Sequence, residues 1–279
     1  MSILQKILAG RWIVGTTVNE AIITAVDLSK LRINSMINYL GEDTYKKEDA
    51  NQSVDIYLQL IKKLKQNNLN SSIAIKPTQL GLLVNKETIN KNYLKIIKAA
   101  KKNNIFVWLD MEKYIYVNNT ISLYLKYNSL GNTGICLQSY LKRTNSDLIK
   151  ILKHNGVIRL VKGAYTESKS ISYDKKDSTK NYSHLMEYLF EKSDNFTLAT
   201  HDLNIIKSSF ELSKKYNKEP KYAMLYGIRN NLAKNIAKKH NMSLYLPFGE
   251  DWISYSYRRL KESSNFKLVL RSLLENQKI

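Results

Sequence analysis

Arg258 and Arg259, with Tyr255 and Glu262 three and four positions away, are the residues whose types and spacing most directly suggest chemistry. On a helix these four share one side. Consecutive arginines point about 100° apart around the axis, so the pair can reach a small anion from two directions. A guanidinium is the usual planar partner of a carboxylate, and Glu262 can hold either arginine in place. The alternative reading of Arg-Arg-x-x-Glu is a solvated surface ion pair. The approach to the pair favours the first reading. Met242 to Pro247 reads as a strand, which Pro247 should end because it cannot donate to a ladder. Gly249 then allows a sharp turn, and Glu250 and Asp251 suit the positive end of a new helix.

A second stretch, Val157 to Tyr165, also carries polar groups on a strand and its exit. Alternation places Arg159 with Val161 on one face and Leu160 with Lys162 on the other. Gly163 and Ala164 allow a ligand close to the backbone, whose amides can meet phosphate, and Lys162 adds a cation. The plainer alternative is a strand with a stray charge and a turn.

Both stretches need a scaffold, and the rest of the chain supplies a regular one. Apolar spacing predicts helices at 15–30, 49–66, 90–102, 118–128, 146–154, 181–192, 205–216 and 231–240. Apolar runs predict strands at 33–40, 73–76, 105–110, 134–138, 157–162, 196–200, 222–226 and 242–247. Eight strand–helix units, recurring at roughly 25 to 35 residues, predict a parallel sheet closed into an α/β (β/α)8 barrel. A single domain spanning 1–279 is expected, since such a barrel needs ~250 residues. Lys76, Asp110, Gln138, Arg159 to Lys162, Thr200, His201, Tyr226, Gly227 and Tyr245 stand at the expected strand ends. In a barrel that is where chemistry is kept.

Composition narrows the partners. The chain has 44 Lys and Arg against 24 Asp and Glu, a formal charge of +20. That balance raises nucleic acid, anionic membrane or acidic ligands as partners. The lysines fall in separate pairs near helix ends, where cations complement the dipole, and no RNA-binding or zinc signature accompanies them. Nucleic acid is therefore not expected, and a loose membrane-surface contact stays open. Cys136 is the sole cysteine, which excludes a disulfide framework and a cysteine-based metal site; on an apolar strand it reads as core. No apolar run is long enough to span a bilayer and no signal peptide is seen, so a cytoplasmic location is expected.

Several motifs, in order, resemble those of the proline dehydrogenase family. They are Lys76-Pro77-Thr78-Gln79-Leu80-Gly81, Leu109-Asp110-Met111-Glu112, and Leu137-Gln138-Ser139-Tyr140-Leu141-Lys142-Arg143-Thr144. Arg159 to Tyr165, Ala199-Thr200-His201-Asp202, Met224 to Arg229 and Tyr245 to Glu262 follow. The resemblance runs from about Gly15 to the last helix. It implies an FAD-dependent barrel that oxidises L-proline to 1-pyrroline-5-carboxylate, the ring carbon beside nitrogen yielding a hydride to flavin N5. The ring nitrogen must be unprotonated at transfer. Arg258 and Arg259 would hold the proline carboxylate, with Lys76 on its other side. Leu225 and Tyr245 would pack on the ring. Asp110 would lie beneath the substrate and hold the cations, and Arg159 would approach the N5 edge. Gln138 and the Met111 backbone would meet the isoalloxazine. Lys162, Gly163, Ala164, Tyr165, Thr200 and His201 would bind the rest of the cofactor, and Glu262 would close the site.

The resemblance also implies a quinone as electron acceptor and a separate pyrroline-5-carboxylate dehydrogenase downstream. Two positions depart from the pattern. Ala223 stands where many relatives carry a flavin-contacting glutamine, and Thr166 stands where tryptophan is common. A flavin barrel acting on hydroxyproline or a folate, or a non-catalytic basic binding barrel, are the alternatives. The Arg258–Arg259 pair and Tyr245 argue for a small cyclic amino acid.

Overall fold

The structure is a computed structural model that describes residues 12–252. Thr17 opens the first helix. Its hydroxyl accepts the Glu20 N–H (3.3 Å), and the Glu20 carboxylate accepts the Thr17 N–H (2.9 Å). This reciprocal cap satisfies two of the donors that a helix start leaves unpaired. Helix α1 (Val18–Lys30) then buries Ala21, Ile22, Ala25 and Leu28, the face its spacing predicts.

Strands and helices alternate from there. They are β1 (Asn34–Tyr39), α2 (Lys47–Gln66), β2 (Ser72–Ile75), α3 (Lys86–Lys102), β3 (Phe106–Leu109) and α4 (Val117–Tyr127). Next come β4 (Thr133–Gln138), α5 (Thr144–Leu152), β5 (Val157–Val161), α6 (Lys175–Lys192), β6 (Phe196–Ala199) and α7 (Leu203–Tyr216). The series ends with β7 (Lys221–Leu225), α8 (Asn230–Ala237) and β8 (Met242–Phe248). The strands close into a barrel in sequence order, β1 to β8, as the alternation predicts.

Two compact units make up the described chain. One holds the residues up to Val107 and from Met224 on. Its sheet segment is a parallel ladder in which β1 lies between β8 and β2, with Met36 opposite both Tyr245 and Ser72. Ile37, Ile73, Ile75, Leu244 and Leu246 are buried there. The other unit, Trp108–Ala223, carries the parallel run β4–β5–β6–β7, with Cys136 opposite Arg159 and Arg159 opposite Thr197. Tyr182 is fully buried here, and its hydroxyl donates to the Leu160 carbonyl (3.1 Å). Each large apolar side chain taken from water contributes roughly 1.5–3 kcal/mol, so these layers hold the strand ends in place.

Three sequence expectations need correction. Helix α3 begins at Lys86 rather than Asn90, because the Asn85 side chain accepts the Thr88 N–H (2.8 Å). Helix α6 begins at Lys175 rather than Asn181, with Asp174 capping through the Asp177 N–H (2.8 Å). Both first turns are polar, so apolar spacing passes over them. Strand β8 continues through Pro247 to Phe248. Alternate residues of a strand face opposite neighbours: Phe248 accepts the Leu40 N–H (2.8 Å), while the Pro247 carbonyl accepts the Val14 N–H (3.0 Å). The N–H that proline lacks is on the side away from β1, so the ladder to β1 continues past it.

Candidate active site

Strand β2 ends at Ile75, and Lys76 follows directly, 7% exposed. Its ammonium lies 3.1 Å from a Glu42 carboxylate oxygen, with the two side chains 9% and 14% exposed. The segment after β1 is tied down to make this contact. The Asp43 N–H donates to the Thr78 hydroxyl (3.0 Å) and the Thr44 N–H to the Thr78 carbonyl (3.1 Å). Gly41, at φ +146°, lets the Gln79 amide pack against its backbone. Gln79 in turn donates to the Tyr39 carbonyl (3.1 Å), and the Tyr57 hydroxyl, 3.2 Å from the Gln79 oxygen, donates to Ala74 (2.9 Å). Glu42 thus balances a cation that burial alone would expel. No sequence motif pointed to it.

The same unit holds Leu225 and Tyr245. Leu225 is the last residue of β7, half-buried. Tyr245 stands in the middle of β8 rather than at its end, half-buried, and its carbonyl accepts the Tyr226 N–H (3.1 Å). Arg258, Arg259 and Glu262 lie outside the described residues.

In the other unit the central feature is a buried ion pair. The Arg159 guanidinium donates through Nη2 to the Asp110 carboxylate. Arg159 sits in mid-strand in β5, 3% exposed, and Asp110 directly follows β3, 8% exposed. Trp108, two residues before Asp110 and therefore on its face of the strand, puts its ring 5.3 Å from the Arg159 guanidinium carbon. Cys136 completes the group as the register partner of Arg159. Burial pushes its thiol up, while the Arg159 charge beside it pulls the other way and Asp110 adds to the rise. The Met111 N–H faces the Cys136 sulfur. Cys136 is buried, as its apolar strand suggests, but its neighbours are charged.

Gln138 ends β4 almost wholly buried, and its amide donates to the Glu112 carbonyl (2.9 Å). Lys162 follows β5, half-buried, with its ammonium on the Thr179 hydroxyl (2.5 Å). Burial lowers its pKa, against a smaller raising effect of Asp202. Gly163 has φ +115°, where a side chain is strained, and any Cβ would enter the Tyr140 ring. The room over this glycine is therefore filled by the protein's own tyrosine. Ala164 and Tyr165 are half-buried in the loop that follows. Tyr165 and Thr166 line a cleft of about 350 Å³ with Lys113, Tyr114, Ile115 and Glu167.

After β6 come Thr200 and His201, both half-buried. The Thr200 hydroxyl accepts the Asp202 N–H (3.0 Å), and Asp202 caps α7 through the Asn204 N–H (2.9 Å). Asp202 is thus accounted for as a helix cap. Ala223 is buried, and its carbonyl accepts the Thr200 N–H (3.2 Å).

Fold and side chains define a (β/α)8 barrel that carries buried, paired charges at and near the carboxyl ends of its strands, the arrangement of a barrel enzyme. Its kinship is specific. The family model for proline dehydrogenase matches residues 21–271. Proline dehydrogenase 2 of Bacillus subtilis (strain 168) is 32% identical over 276 residues, covering 96% of this chain and 91% of that protein. Proline dehydrogenase of Deinococcus radiodurans is 32% identical over 281 residues, covering 96% and 90%. The chain belongs to the proline dehydrogenase family. Among solved structures, proline utilization A (PutA) from Bdellovibrio bacteriovorus, inactivated by N-propargylglycine, is similar in fold. Its TM-score is 0.86 at 22% identity, over 98% of this chain but only 34% of that one.

Proposed function

We propose that this protein is a proline dehydrogenase, a single catalytic domain that oxidises L-proline to 1-pyrroline-5-carboxylate with FAD as its cofactor. The observation that carries this reading is the buried Asp110–Arg159 pair, held in the barrel of a proline dehydrogenase family member. Taking charge out of water is costly even when it is paired, and charged groups buried in a barrel of this family are candidates for a role in the reaction.

The donor set suits a flavin dinucleotide. Gln138 offers a buried amide, Arg159 and Lys162 are cations, and Thr200 and His201 add polar groups after the next strand. Burial lowers the Lys162 pKa, and an anionic phosphate beside it would stabilise its charged form. The opening at Gly163 supplies no such argument, since Tyr140 fills it. In this reading Met111, Gln138, Arg159, Lys162, Gly163, Ala164, Tyr165, Thr200, His201 and Glu262 hold FAD, which supplies the hydride acceptor that no side chain can provide. Lys76, Arg258 and Arg259 bind the proline carboxylate, and Leu225 and Tyr245 present apolar surface to the ring. Asp110 fixes the Arg159 guanidinium, whose charge favours electron density arriving at the reacting centre. The substrate nitrogen gives up its proton before or during transfer, since only the neutral amine can yield the carbon-bound hydride.

The reading extends to partners. Electrons pass to a quinone, and a separate dehydrogenase takes the product. No described helix is long and apolar enough to cross a membrane. A cytoplasmic protein with loose contact to an anionic membrane surface fits the +20 charge; failure to sediment with anionic liposomes at low salt would remove that contact. The decisive experiment for the activity is anaerobic addition of L-proline to the FAD-loaded protein. Bleaching of the visible flavin bands is expected. Bound flavin that stays oxidised with proline but bleaches with hydroxyproline or a reduced folate would overturn the substrate.

A further inference from the structure

Trp108 is 5% exposed on β3 and would pass for a core residue. Its surroundings are not those of the core. Its ring lies under the Arg159 guanidinium, 5.3 Å from ring centroid to guanidinium carbon. Asp110 holds one edge of that guanidinium through Nη2, and Cys136 stands beside it in the strand register. In-plane contacts to Asp110 and the Cys136 sulfur hold an edge of the guanidinium, and out-of-plane tilting is the freedom that such contacts restrain least. A ring face on one side removes that freedom, because the guanidinium plane is delocalised and stacks on aromatics. Attraction between a desolvated cation and an indole face is also strong enough to matter. A leucine or methionine would fill similar space without offering a face.

We propose that Trp108 is a positioning residue that fixes the plane of Arg159, and so the direction in which its charge meets the reacting centre. This rests on the reading of Arg159 as a cofactor-side group. Its structural half, orientation by the ring, does not depend on a cofactor and can be measured without one.

The test uses the full chain and the variants Trp108→Leu and Trp108→Phe. In the cofactor-free protein, the Arg159 Nε–H resonance, assigned by its loss in Arg159→Lys, should carry an upfield ring-current shift. That shift should survive in Trp108→Phe and vanish in Trp108→Leu. In the FAD-loaded protein, Trp108→Leu should lower kcat about tenfold while KM for proline changes less than threefold. It should also make the flavin midpoint potential more negative by ~30 mV, which is tenfold for a two-electron couple. Trp108→Phe should restore both values to within about threefold of the parent.

Unchanged kcat and potential in Trp108→Leu would overturn the functional half. An Arg159 resonance that is the same in all three proteins would overturn the orientation. Parent protein that holds no FAD or leaves proline untouched would remove the enzymatic reading and the functional half with it, and the resonance would still decide the orientation. Should Trp108→Leu fail to fold, Trp108→Met replaces it. Failure of both variants to fold would make Trp108 a core residue and end the proposal.

Discussion

Breaking the Asp110–Arg159 pair should destabilise the protein far more than removing both partners. The side chains are 12% and 4% exposed, so neither charge can turn to water when its partner goes. Asp110→Asn keeps the shape of the carboxylate but leaves the guanidinium without a counter-charge. Arg159→Met keeps the length of the stem but leaves the carboxylate so. Each should cost about 3–5 kcal/mol, the range for a buried charge that loses its partner. At roughly 2–4 °C per kcal/mol for a chain of this size, each midpoint should fall by ~6–20 °C. Asp110→Asn belongs at the lower end, because the Trp108 ring still faces the guanidinium. The double variant buries no charge here and should lose less than either single variant, so the coupling energy, the sum of the single losses minus the double, should be at least about 3 kcal/mol. Urea unfolding of the cofactor-free protein is the assay, since bound ligand would add its own stabilisation. Single variants that lose less than about 1 kcal/mol, or a double variant equal to their sum, would refute a desolvated, mutually dependent pair.

Lys162→Met separates stability from binding. Burial lowers the Lys162 pKa from 10.5, so the folded state disfavours its charged form, a penalty present at neutral pH that fades as pH rises toward the ordinary value. The variant should therefore unfold at no lower urea concentration than the parent, yet hold FAD at least tenfold more weakly, roughly the loss of one charge-assisted contact, read by flavin release. Tyr124 governs an alkaline limit. Burial pushes it up to about 12, while its hydroxyl accepts the Val157 N–H (2.9 Å). A raised folded pKa means that its contribution is complete below the unfolded value near 10 and is lost as pH climbs from about 10 to about 12. Unfolding free energy measured across that window should fall less steeply in Tyr124→Phe than in the parent.

The barrel was legible because each unit repeats a strong signal. Runs such as Ile73 to Ile75 and Ile135 to Leu137 are buried, and the residues that follow such runs, Lys76, Asp110 and Lys162, stand where polar groups leave a strand. Helix starts were less legible. Asn85 and Asp174 set them through side-chain caps, and apolar spacing carries no information about a polar first turn. The interior of the site was least legible, for a different reason. Charge on Arg159 was visible, but nothing in a linear chain says that Cys136 stands opposite it, that Trp108 lies under it, or that Glu42 reaches Lys76. Those contacts depend on strand register and on how loops are tied down, and register is settled by packing on both faces of each strand at once. Gly163 illustrates the limit. A glycine after a basic strand reads as a phosphate cradle, yet its positive φ and the Tyr140 ring account for it without a ligand. The Arg258–Arg259 assignment rests on sequence alone, whereas the assignment of Arg159 rests on a guanidinium whose partners are specified on three sides. Arg159 and its wall are therefore where mutation will discriminate most sharply between a residue that stabilises the barrel and one that directs charge at a substrate.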